Sequence, residues 1–98
     1  MYSIGPTADC LRAEGERAVP NRNDPNILEL NRSFLRFHPS IEAAKDFDVS
    51  SLTGSFAGYQ FHRIRHGNVS LIWATGGPND FSGPPKSQVE AVERCLRA

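Results

Sequence analysis

Four side chains able to bind anions or move protons fall within five positions of one another: His62, Arg63, Arg65 and His66, inside the run SLTGSFAGYQFHRIRHGNVSLIW over 51–73. On an extended strand Arg63 and Arg65 alternate onto one face, where two guanidinium groups could hold a phosphate in bidentate fashion. Histidine titrates near neutral pH, so His62 or His66 could serve as general acid or base. A plainer reading stands beside this one. His66 is then a turn residue, His62 stacks on Trp73, and the arginines lay their stems over apolar surface as a positive strand edge that discourages aggregation.

Other candidate chemistry is thinner. The segment TGGPNDFSGPP (75–85) has paired glycines but no Gly-x-x-x-x-Gly-Lys-Ser/Thr, and Lys86-Ser87 follows two prolines. It reads as a loop between strand and helix, with Phe81 an apolar side chain available for contact. Asp46 and Asp48 flank Phe47 without a histidine or third acid at metal-ligand spacing, so solvation is their default and no metal site is expected. No Gly-x-Ser-x-Gly elbow is present and neither cysteine has an identifiable base, which leaves nucleophilic catalysis and cofactor use without sequence support. Cys10 and Cys95 stand 85 positions apart and form no Cys-x-x-Cys. Cys95 falls in an apolar helical pattern where a buried thiol is the ordinary expectation, and an oxidising compartment would allow the two to bridge the termini.

These residues need elements to position them. Gly67-Asn68 separates two runs rich in β-formers, the signal of a two-residue hairpin over about 55–75. That turn places Ile64 opposite Leu71 and His62 opposite Trp73, with Phe61, Arg63 and Arg65 on the other face opposite Ala74, Ile72 and Ser70. Tyr59 and Phe61 are out of phase with Ile64, which implies a bulge near His62 or a sheet covered in part on both sides. Upstream, Tyr2 to Ile4 reads as a short strand, then Thr7 as the cap of a two-turn helix that Gly15 ends. Glu16 to Val19 is a weaker strand. Asp24-Pro25 reads as a helix start, with Ile27, Leu30, Phe34 and Phe37 recurring on one helical face until Pro39. Ser40 caps a further short helix carrying Ile41, Ala44 and Phe47. Finally SQVE, with Ser87 capping and Glu90 reaching back, opens a C-terminal helix over about 87–97 striped by Val89, Val92 and Leu96. One α+β domain follows: a small antiparallel sheet with helices packed on one face.

The pattern Leu52, Gly54, Gly58, Tyr59, Arg63, Ile64, Arg65, Leu71, Ile72, Trp73 resembles the central hairpin of the RelE/YafQ-type toxins of bacterial toxin–antitoxin pairs. That resemblance covers about a quarter of the chain. It implies an α+β fold and a metal-independent endoribonuclease acting on mRNA at the ribosome. Arg63 and Arg65 would then be the phosphate-contacting pair, and His62 the acid/base. The family's closing strand with its catalytic His or Tyr has no counterpart here, where a loop and a helix follow Trp73.

Bulk properties favour another class. The 98 residues hold 11 Lys+Arg against 11 Asp+Glu, with six basic and eight acidic residues in 1–50 and five and three in 51–98. A balanced chain lacks the cationic excess that broad nucleic-acid binding uses. No run approaches the ~18 apolar residues of a membrane span, and MYSIGPTADC lacks the regions of a secretion signal, so no membrane and a cytoplasmic location are expected. The reading that follows is a small non-catalytic binding or regulatory module, monomeric or homodimeric. Its partner would be another protein, as for bacterial or phage-type inhibitors, antitoxins and adaptors. Tyr59, Arg63, Arg65, His66, Trp73 and Phe81 are its candidate contact residues. RNA or the ribosome is a partner only under the nuclease reading.

Overall fold

A computed structural model describes residues 1–47, 58–77 and 82–97. The elements run α1 (Ile4–Ala13), β1 (Val19–Pro20), β2 (Ile27–Glu29), β3 (Phe34–Phe37), α2 (Ile41–Asp46), β4 (Tyr59–His66), β5 (Val69–Gly76) and α3 (Lys86–Cys95). The five strands form one antiparallel sheet in the order β1-β2-β3-β5-β4, which is the expected α+β class.

The β4–β5 hairpin has the register that Gly67-Asn68 implies: Ile64 lies opposite Leu71, His62 opposite Trp73 and Arg63 opposite Ile72. Gly67, at φ +60°, takes the first turn position, the glycine-first arrangement that matches strand twist. Pairing is unbroken from Tyr59↔Gly76 to His66↔Val69, so there is no bulge at His62. The phase shift of Phe61 has the other cause: both faces of the sheet are partly covered.

Alternation sorts the faces. Leu28, Leu35, Phe37, Val69 and Leu71 point to one side, where they meet Ala8 and Leu11 of α1 and Ala91, Val92 and Leu96 from α3. Each fully buried leucine here contributes roughly 1.5–3 kcal/mol of transfer free energy. Directly paired Phe34 and Ile72 share the opposite side with Ser70, Arg36, Arg63 and Phe61, and α2 packs there against β5. A disulfide joins Cys10 of α1 to Cys95 of α3 (Cα–Cα 5.8 Å). Beside it Arg94 pairs with Glu14 at 2.6 Å, and the Tyr2 hydroxyl donates to the Leu96 carbonyl.

Four local expectations are corrected. Residues 25–38 form the β2–β3 hairpin and no helix, because Ile27 and Phe34 belong to one sheet face and Leu28 and Leu35 to the other. The Asp24 carboxylate does accept a local bond, from Asn26 N at 2.9 Å, but closes a turn with it. Tyr2–Ile4 is no strand. The Asn68 side chain instead accepts from Tyr2 N (2.8 Å) and donates to Tyr2 O (3.1 Å), satisfying that peptide as a neighbouring strand would. Thr7 lies inside α1, its hydroxyl bonded back to Ser3 O at 2.8 Å, and the cap position is Ser3. The last helix is capped by Pro85, so Ser87 and Glu90 form no capping box. Gly15, at φ +85°, ends α1, and Ser40 caps α2 by accepting from Ala43 N at 3.0 Å, both as expected. The Glu16–Val19 strand is reduced to Val19–Pro20.

Candidate functional site

The alternation that fixes the hairpin also separates its chemistry. His62 lies on the α1/α3 face, stacked on Trp73 (ring centroids 5.4 Å, 22° between planes), with Nε2 2.7 Å from the Thr75 hydroxyl. Arg63 and Arg65 lie on the opposite face. The Arg63 guanidinium donates to the carbonyls of Ala44 (2.8 Å) and Phe47 (2.5 Å), so it caps the C-terminal end of α2, where helix carbonyls lack partners and favour a cation. Arg65 is exposed and donates to Gly67 O at 3.0 Å. His66 is the last residue of β4, facing the helices, and its Nε2 is buried without a partner. Tyr59 lies against Gly77, where a Cβ would collide with its ring. Among the described residues, then, His62, Arg63 and Arg65 do not converge on one concavity. Phe81 and Asp48 lie outside the described residues, and Asp46 is exposed at the end of α2.

A groove of about 480 Å³ lies elsewhere. Ile27, Phe34, Phe61 and Ala74 line it from four strands of the face opposite α1 and α3. Trp73, whose register puts it on the His62 side of the sheet, and Gly83 beside it also line the groove. Gly83 is at φ +83°, and a Cβ there would lie 2.9 Å from the indole, so only glycine lets this loop close onto Trp73. Asn21, Glu29, Arg32 and Ser33 supply the polar rim. Asn21 donates to Glu29 Oε2 at 3.0 Å, and the Ser33 hydroxyl donates to Oε1 of Gln88, which is fully buried in α3 behind it. Mostly apolar walls, three aromatic rings and a few placed polar groups are the usual composition of a binding site.

Of the candidate contact residues that are described, Trp73 is the one that lines this groove. Ile27, Phe34 and Arg32 were hidden by the helical reading of 25–38. As strand residues, Ile27 and Phe34 stand in opposite phase to Leu28 and Leu35, the signal of a second apolar face. The sequence reading also missed His38, whose Nε2 lies 3.0 Å from the Ser70 hydroxyl. Burial holds that imidazole below its ordinary pKa, as do the positive charges of Arg36 and Arg63. Ser70 is completely buried, so the pair is a satisfied core contact and not an accessible nucleophile and base. None of the described helices is long and apolar enough to cross a membrane. Compared with protein-family models, curated proteins and solved structures, the chain matches none.

Proposed function

We propose that this protein is a small non-catalytic binding module of the inhibitor, antitoxin or adaptor kind, and that it takes hold of another protein through the groove lined by Ile27, Phe34, Phe61 and Trp73. The observation that carries this reading is the groove itself: an aromatic-lined concavity on a sheet face, of a size that accepts anchoring side chains. The nuclease reading has no such support. Of its two phosphate-contacting arginines, Arg63 is engaged by α2 carbonyls and Arg65 is exposed with a bond to Gly67 O, and its acid/base candidate His62 is on the other side of the sheet. The Cys10–Cys95 bridge also weighs toward an oxidising compartment over the cytoplasm.

The test uses the immobilised protein in an extract of its host. A partner should be retained by wild type and by Arg65→Ala, and lost when the groove is emptied by Phe34→Ser or filled by Ala74→Met. Far-UV circular dichroism and melting confirm that each variant is folded. A partner set that both groove variants keep refutes the groove as the binding surface. Cleavage of mRNA in a translation reaction, abolished by Arg63→Ala, refutes the absence of catalysis.

A further inference from the structure

The groove's rim specifies more than apolar contact. Arg32 is the one non-glycine residue among those described with φ in the left-handed region, at +59°. An arginine pays conformational strain there that glycine would not, and such strain concentrates where a side chain is needed in place. What this backbone delivers is a guanidinium at the groove's mouth. It is exposed, and among the described residues its side chain makes one hydrogen bond, of 3.3 Å to the Ser82 hydroxyl, from the loop that also carries Gly83. Among the described residues no carboxylate lies within ion-pair distance of it.

We propose that the groove's occupant is a partner segment in which an aromatic or aliphatic residue stands beside an aspartate or glutamate. The apolar side chain enters between Phe34, Phe61 and Trp73, and the carboxylate takes the Arg32 guanidinium from Ser82. This inference rests on the binding-module reading. Charge complementarity favours the acid, because a fork of N–H donors that holds only a neutral hydroxyl gains most from a carboxylate. Glu29 favours a peptide over a simple fatty or aromatic acid. Its Oε2 accepts from Asn21, while the group as a whole still attracts donors and repels anions. A peptide brings backbone N–H groups to Glu29 and a carboxylate to Arg32; a simple acid brings only the second.

Trp73 is the sole tryptophan, so its emission reports on the groove directly. Blocked tetrapeptides containing Phe-Asp, Phe-Lys or Ala-Asp, and 3-phenylpropionate as a non-peptide acid, would be titrated into the full chain. Phe-Asp should give a saturable change, with Phe-Lys and Ala-Asp weaker by about tenfold or more. Arg32→Asn, which removes the cation but tolerates the left-handed backbone, should erase the preference for Asp over Lys while Phe still outbinds Ala. Equal binding of Phe-Asp and Phe-Lys, or a preference that survives Arg32→Asn, overturns the carboxylate assignment. Phenylpropionate binding as tightly as Phe-Asp makes the occupant a small molecule, and a dimer in sedimentation that Phe34→Ser dissociates makes it a second copy; either overturns the proposal. If no peptide binds yet the extract partner is still lost from Phe34→Ser and Ala74→Met, this inference fails and the binding module stands. If neither variant affects capture, both fail.

Discussion

Arg63 shows how a residue type that suggests chemistry can be spent on structure. Its two N–H···O bonds reach Ala44 and Phe47, and Arg36 lies 5.2 Å from the Phe47 ring centroid on the same face. Hydrogen bonds from a charged donor contribute about 1.5–3 kcal/mol, and their loss leaves α2 carbonyls to find water. Arg63→Met keeps the apolar stem but removes the donors, so it should lower stability by about 2–3 kcal/mol. Arg65→Met removes an exposed charge with one local bond and should stay within about 0.5 kcal/mol of wild type. Urea midpoints with unchanged slopes would measure both. Equal, small shifts in the two variants would mean that Arg63 is a surface cation after all and reopen its role in binding anions.

At the scale of elements, legibility follows from how many faces a strand buries. The β4–β5 hairpin was readable down to its residue pairs because Gly67-Asn68 fixes the register and the β-formers on either side agree with it. The β2–β3 hairpin was not. Its two faces are both apolar, so Ile27, Leu30, Phe34 and Phe37 fall at helical spacing by coincidence, and the Asp24-Pro25 pair that also opens helices completed the imitation. That single error hid most of the groove, since Ile27, Phe34 and Arg32 all lie in the misread segment; Trp73, in the correctly read hairpin, was recovered. The same hairpin also anchors the chain's start through a contact no periodicity reveals. Asn68 is 3% exposed and makes three side-chain hydrogen bonds, two with Tyr2 and one to His38 O at 3.2 Å. Asn68→Ala strands those backbone groups and should cost about 3 kcal/mol, at roughly 1 kcal/mol per bond. Hydrogen exchange should quicken at Tyr2 and in the first turn of α1 while the β4–β5 amides keep their order of protection. An unchanged Tyr2 amide would show that α1 is seated by Tyr2's hydroxyl and the disulfide alone.

Over the whole molecule, the disulfide sets how much the fold depends on its core. A 98-residue chain buries a modest core, and among the described residues 26 in three short helices, with small satellite contacts such as Ala44 of α2, leave little in reserve. The Cys10–Cys95 bond spans 85 positions, so it removes most of the chain's loop-closure entropy from the unfolded state. In the chain-entropy account a loop of that length is worth about 4–5 kcal/mol, which rivals the net stability of a small domain. Reduction, or Cys10→Ser with Cys95→Ser, should therefore lower the calorimetric midpoint by about 20 °C or more. The denaturant slope should rise, because the unlinked chain exposes more surface when it unfolds. Ile27, Phe34, Phe61 and Ala74 of the groove lie on the sheet face away from α1 and α3, while Trp73 and Ser33 join it to the α3 side. Below the lowered midpoint, with α3 still packed, the reduced protein should therefore still bind what the oxidised protein binds. Midpoints that agree within a few degrees would place the stability in the packing of α1 and α3 against Leu28, Leu35 and Leu71.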